Sequence, residues 1–181
     1  PESVMWAMKP RIGKPLPVGN EGSGVVTDAG DNAKHLIGKV VSGVGGGMYA
    51  QYRVLPAMAC IEMADGIDPK ECASSFVNPL TALGMVETMK NESHAALIHT
   101  AAASNLGQML VKICLADDIP LINIVRKSEQ VELLKSHGAK YICNSSDDNF
   151  KETLVEAIKA TNATLAFDAT GGGELSGRIL S

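Results

Sequence analysis

The 181-residue chain has no CxxC pair, and its four cysteines, Cys60, Cys72, Cys114 and Cys143, are scattered. A zinc cage or a disulfide framework needs paired spacing, so these are expected to be buried, reduced thiols of a cytosolic protein. The histidines His35, His94, His99 and His137 are isolated as well, and no metal is expected. Aromatic residues are few, at one Trp, three Tyr and three Phe, which leaves no platform for stacking many bases. Lys and Arg form no block and the net charge is −4, which argues against nucleic acid as a partner. No apolar run approaches the roughly 20 residues that span a bilayer, and the first residues show no signal-peptide pattern. A cytoplasmic location with no membrane partner is therefore expected. Sequence repeats and low-complexity tracts are missing too.

What is there is ordinary globular material, 45% hydrophobic and 20% charged, enough for one domain or two small ones. Residues 1–19 hold four of the eight prolines and little periodicity, and predict an irregular lead-in. From Ser23 the pattern turns to β, over 23–27, 38–44, 48–55 and 60–63, with glycine clusters such as Gly45-Gly46-Gly47 between. Tyr49 and Tyr52 of the third segment are expected to pack. Asp68-Pro69 and Asn78-Pro79 each place an N-cap before a proline at the first helical position, predicting helices to about Phe76 and about Lys90.

From Ala95 strands and helices alternate: 95–100, 106–116, 121–125, 128–137, 141–143, 147–161, 165–168 and a helix from Glu174. Asp147 or Asp148 is the expected cap of the helix over 147–161. Alternation of this kind builds a parallel sheet with helices on both faces. The fold class is α/β: a β module over residues 1–75, then a doubly wound unit over 76–181. Four strands of the usual six are present, so a portion of a longer chain is expected.

The turn between the first of these strands and its helix carries the chemistry. A short apolar run, Ala95–Ile98, ends in very small residues, and Leu106, Met109, Leu110, Ile113 and Cys114 then recur at helical spacing. A strand that stops at a tight turn and enters a helix presents unpaired N–H groups and a positive dipole end to a pyrophosphate. Ala102, Ser104 and Gly107 occupy the three glycine slots of the dinucleotide fingerprint GxGxxG, and only the last is glycine. A Cβ at 102 or 104 narrows the approach, so a displaced or longer turn is expected. Ser104, Asn105, Leu106 and Gly107 are the candidate pyrophosphate residues.

The next strand, Leu121–Val125, ends in Arg126-Lys127-Ser128. In such βαβ units an acidic residue at this place accepts from a free ribose 2′-hydroxyl, whereas a basic one pairs a 2′-phosphate. Two cations here favour NADPH over NADH, with Ser128 assisting. A solvated charge closing the strand is the alternative.

Short segments in a fixed order then resemble a known family. Gly19-Asn20-Glu21-Gly22-Ser23-Gly24-Val25-Val26 is similar to a GHEGxGxV segment and Gly38-Lys39-Val40-Val41 to a GDRV strand. Tyr49–Val54 resembles YAEYxxV, and Asn78-Pro79-Leu80-Thr81-Ala82 resembles the lead into the cofactor domain. Gly138–Ile142 resembles GAxxVI, and Phe167–Gly172 a D-x-x-G-G turn. Together they resemble the medium-chain dehydrogenase/reductase superfamily, in its zinc-free quinone oxidoreductase and 2-enoyl thioester reductase branch.

That resemblance implies a partial GroES-like β module followed by an incomplete Rossmann dinucleotide-binding domain. It implies an enzyme that transfers hydride from NADPH to a quinone or conjugated carbonyl; an enoyl thioester is the alternative acceptor, and a non-catalytic NADPH-binding homologue an alternative of another class. Asn20 stands where zinc alcohol dehydrogenases hold their metal with histidine, and an amide is a poor zinc ligand. By resemblance Asn78 and Thr81 lie near the nicotinamide, with helix capping the competing role for Asn78. Asn144 stands near the adenine and Thr170 and Gly171 line the cleft, while Asp168 closes its turn and Gly171-Gly172-Gly173 makes a tight turn. No proton donor can be assigned. A homodimer is the expected assembly of the full-length protein.

Overall fold

The computed structural model describes residues 9–171 and 173–181. Of the expected lead-in, residues 1–8 lie outside the described residues, and Lys9–Arg11 form a single 3-10 turn. The chain divides into two compact units, one ending at Val77 and one starting at Asn78.

The first unit is built on a three-stranded antiparallel sheet, β1 (Glu21–Val25), β2 (Val40–Val44) and β3 (Cys60–Glu62), in the order β1-β2-β3. β1 and β2 pair from Glu21 opposite Val44 to Val25 opposite Val40. Leu36, Val41 and Cys72 are buried in this unit, and the buried Ser42 hydroxyl donates to the Cys72 carbonyl at 3.1 Å. The Asp68 carboxylate caps the Lys70 amide at 2.9 Å, as the Asp-Pro signal predicts. The element that follows is only a 3-10 turn, Pro69–Cys72, and not a helix to Phe76. It has no apolar repeat to bury, and Ser74-Ser75 favour a turn over a helix interior.

The expected strand over 48–55 does not form. Met48 and Tyr49 donate backbone bonds to Gly19 and Val18, and there the pairing stops. Gly19 has φ +90°, and a Cβ there would sit 2.6 Å from the Tyr49 ring, so glycine is required for this close approach. Beyond it the chain folds back, with the Arg53 guanidinium donating to the Gly46 carbonyl at 3.2 Å. Tyr49 and Tyr52 are about four-fifths exposed and do not pack as expected, because the alternating pattern meets no sheet edge to lie against. Cys60 is half-buried, whereas Cys72, Cys114 and Cys143 are buried as expected.

The second unit is a four-stranded parallel sheet in the order β6-β5-β4-β7, with β4 Leu97–His99, β5 Leu121–Val125, β6 Tyr141–Asn144 and β7 Leu165–Phe167. Its helices are α1 (Val77–Asn91), α2 (Asn105–Ala116), α3 (Ser128–Ser136), α4 (Phe150–Thr161) and α5 (Leu175–Leu180). One face of the sheet, with Leu97, Leu121 and Val125, packs on Val86, Leu110, Val111 and Leu134. The other, with Ile98, Ile122 and Ile124, packs on Phe150, Leu154 and Ala157. β5 is buried at all five positions because both of its faces are covered, which is why its sequence runs apolar without alternation.

Two helix starts differ from expectation. α1 begins at Val77, so Asn78 sits inside its first turn and is not the N-cap. The Glu21 carboxylate takes that part, accepting from the amides of Phe76 at 3.0 Å and Val77 at 2.7 Å. α4 begins at Phe150 and not at Asp147, since the Asp147 carboxylate is taken by the Asn144 amide at 2.7 Å.

Candidate functional site

In the strand order β6-β5-β4-β7 the chain leaves β4 toward β5 and later returns to the far side of β4. Connections diverge there, and ligands of open α/β sheets bind at such a switch point, outside the carboxyl ends of the strands. A crevice of about 640 Å³ opens at that place. Residues just beyond all four strand ends line it, among them Ala101, Ser104, Arg126, Ser145 and Thr170.

The small-residue turn after β4 forms its floor. Ala101 adopts φ +51°, a left-handed conformation usually left to glycine. The Ala102 methyl is fully buried in the core and so is directed away from the crevice. Ser104 is the N-cap of α2, and its hydroxyl accepts from the Gly107 amide at 3.2 Å. At Gly107 a Cβ would fall 2.2 Å from the Ala102 carbonyl oxygen, so the third glycine slot cannot change while the first can. Ala101 makes the turn, and Gly107 lets helix and strand ends touch. The first turn of α2 faces the crevice with its dipole end positive.

Arg126 is exposed at the carboxyl end of β5. Its amide donates to Gln130 Oε1 at 3.2 Å, and its carbonyl accepts from the Ser146 hydroxyl at 2.9 Å. The backbone is thereby pinned from both sides, and Gln130 itself lines the crevice. Among the described ion pairs neither Arg126 nor Lys127 takes part. Lys127 is the N-cap position of α3 and makes no side-chain cap, and Ser128 opens that helix. A cation at a helix start is opposed by the dipole, so an anion between Lys127 and the helix would relieve it.

On the β7 side Asp168 gathers four hydrogen bonds. Its Oδ1 accepts from the hydroxyls of Thr170 at 2.6 Å and Thr100 at 2.7 Å and from the Thr170 amide at 2.9 Å, and its Oδ2 from the Ser176 hydroxyl at 2.7 Å. The Thr170 and Ser176 hydroxyls, then Thr100, hold its carboxyl well below the usual carboxylate range. This knot ties the end of β4 to the end of β7 and to the start of α5, and it aims Thr170 at the crevice. Gly171 and Gly173 both have positive φ, and Gly172 lies outside the described residues. The Asn144 side chain closes its own turn, donating to Asp147 and accepting from the Ser146 amide at 3.2 Å. The neighbouring Ser145 is the one that lines the crevice.

Of the residues singled out in the sequence, Ser104, Arg126 and Thr170 meet in the crevice lining. Asn78 and Thr81 lie on the first turn of α1, outside that lining. Gln130 was missed; its only signal was its place four residues after Arg126, one helical turn on.

No protein-family model matches the chain. It is similar to a quinone oxidoreductase of Pseudomonas aeruginosa, 25% identical over 166 residues, covering 90% of this chain and 51% of the relative. It is similar to a mitochondrial enoyl-[acyl-carrier-protein] reductase of Caenorhabditis elegans, 27% identical, covering 87% of this chain and 48% of the relative. Among solved structures, a Mesorhizobium loti protein assigned as an NADPH:quinone reductase superposes with a TM-score of 0.77 and 36% identity, over 89% of this chain and 48% of that one. The chain spans about half the length of the relatives it matches. With a crevice built at the switch point of a parallel sheet, the chain resembles the quinone oxidoreductases and enoyl reductases of the zinc-free branch of the medium-chain dehydrogenase/reductase superfamily.

Proposed function

We propose that the protein is an NADPH-dependent oxidoreductase that reduces a quinone or another conjugated carbonyl without a metal. One observation carries the reading: the crevice has a capped helix start on its floor and, at the adjoining strand end, an exposed Arg126 that joins none of the described ion pairs. The residues present fit a phosphorylated dinucleotide, since Gly107 leaves no side chain between strand and helix and the Ala102 methyl turns inward. When bound, a reduced nicotinamide supplies the hydride.

Everything else falls to the chain. The start of α2, with Ser104, Asn105 and Leu106, faces the diphosphate. Arg126 pairs the 2′-phosphate, with Lys127 and Ser128 beside it. Gln130 fixes the Arg126 backbone, and the Asp168 knot holds Thr170 and Gly171 along the cleft. Asn78 and Thr81 serve the nicotinamide end, and Asn144 shapes the turn beneath the adenine. Hydride transfer gains from holding donor and acceptor in a dry, fixed arrangement, and these contacts supply that orientation. The reading includes a homodimeric protein in the cytoplasm. No helix among the described residues is long and apolar enough to cross a membrane.

A second acceptor class, the enoyl thioesters, is favoured by the likeness to an enoyl reductase. Following NADPH oxidation with 1,4-naphthoquinone, a short enone and crotonyl-CoA separates the two. Turnover with the quinone or enone and not with crotonyl-CoA is expected. Turnover with crotonyl-CoA alone favours the thioester. NADPH binding with no turnover on any of the three would leave a non-catalytic homologue.

A further inference from the structure

The turn between β4 and α2 is held by two side chains that do not line the crevice, Gln108 and His137. Gln108 is the fourth residue of α2, and helical side chains lean toward the amino end of their helix. Its Nε2 donates to the carbonyl of Ala103, five residues earlier, at 3.0 Å. The amide on the other side of the same peptide unit, that of Ser104, donates to the Ala101 carbonyl at 2.9 Å. The Ala103–Ser104 peptide is thus held at both its oxygen and its nitrogen. Ala103 and Ser104 both line the crevice.

The far end of Gln108 is held as well. Its Oε1 lies 3.1 Å from Nε2 of His137, the C-cap residue of α3. A carbonyl oxygen only accepts, so Gln108 turns its NH₂ to Ala103 and its oxygen to His137. His137 must then carry a proton on Nε2. Both side chains are half-buried, where water replaces a lost hydrogen bond poorly. The series His137, Gln108, Ala103 runs from the end of α3 to the floor of the crevice. The same helix opens with Ser128 after Lys127, and its Gln130 accepts from the Arg126 amide.

We propose that Gln108 is a positioning residue for the diphosphate of a bound dinucleotide, acting through the Ala103–Ser104 peptide, with His137 orienting its amide. The proposal rests on the nucleotide reading of the crevice. A peptide that is not braced can rotate and exchange the places of its N–H and C=O groups. A carbonyl oxygen turned toward the crevice would meet an anion with its negative end. With the Ala103 carbonyl committed to Gln108, the turn is set before the nucleotide arrives, which favours binding by preorganisation. The effect is local to the diphosphate, because Gln108 braces no other part of the crevice lining.

The test titrates the protein and its Gln108→Met variant, which keeps the side-chain length and removes both hydrogen-bonding groups. The probes are NADPH, NADH and adenosine 2′-monophosphate, the last carrying a 2′-phosphate and no diphosphate. Gln108→Met is expected to weaken NADPH and NADH alike by about fivefold or more, and to leave adenosine 2′-monophosphate within about twofold of the parent. Equal weakening of all three would mean a general loosening of the fold and would overturn the proposal. So would unchanged affinity for both dinucleotides. A parent protein that binds neither dinucleotide overturns the nucleotide reading itself, and the proposal with it. Nitrogen NMR spectra of the parent bound to NADPH decide the matter even if Gln108→Met does not fold. Gln108 side-chain amide protons protected from exchange and a proton on His137 Nε2 are expected. Amide protons exchanging as fast as those of an exposed glutamine, or a His137 Nε2 without its proton, would overturn the proposal.

Discussion

Gly107 is the residue on which the geometry of the site turns. Its missing Cβ would collide with the backbone of Ala102, and no flexible side chain stands there to yield. Gly107→Ala is expected to cost about 3 kcal/mol or more in a urea melt, toward the upper end for overpacking, and to abolish nucleotide binding. His99 is fully buried at the end of β4, with neither ring nitrogen partnered among the described residues. Burial pushes its pKa down, opposed by the Phe167 backbone and the charge of Asp168. The unfolded chain therefore takes up this proton first. Stability from the neutral ring is fully present above its ordinary value of 6.5 and is lost as pH falls below it. A pH series of melts should show stability declining through that range, and His99→Leu should flatten this part of the curve. A curve unchanged by His99→Leu would contradict it.

At the scale of elements, α2 depends on its cap. Ser104→Ala removes the acceptor of the Gly107 amide and should lower stability by about 1 kcal/mol, measured by the urea midpoint, while Ser104→Asp should largely restore it. The elements most legible in the sequence are those whose signals are local. The helical repeat behind Leu106 and the unbroken apolar run of β5 report burial against neighbours that the same unit supplies. The elements that went wrong answer to distant partners. Asn78-Pro79 has the form of a cap, but Glu21, more than fifty positions earlier, caps the amides of Phe76 and Val77 and moves the helix start. Asp147 also has the form of a cap, but Asn144 claims its carboxylate. Residues 48–55 carry strand-like composition, yet a strand exists only where another backbone pairs it. In the site, the Arg126 strand end was legible because chemistry and position coincide. The knot around Asp168 was not, since Thr100 and Ser176 come to it from two other elements.

At the scale of the whole molecule, the parallel unit has two ends with different chemistry. The carboxyl end gathers a positive helix start, an exposed arginine and a rigid hydroxyl–carboxylate knot, which suits an elongated anionic ligand. The amino end holds a small, mainly apolar pocket. The same sheet creates both, because each strand sends its helix back across one end and its ligand-facing loop across the other. The central claim concerns the carboxyl end, and it is tested most directly by fluorescence titration of the protein with NADPH and NADH, before and after Arg126→Ala. NADPH should bind about tenfold or more tighter than NADH, and Arg126→Ala should erase most of that difference while leaving NADH affinity nearly unchanged. Equal affinity for the two nucleotides in the parent protein, or a preference that survives Arg126→Ala intact, would contradict it.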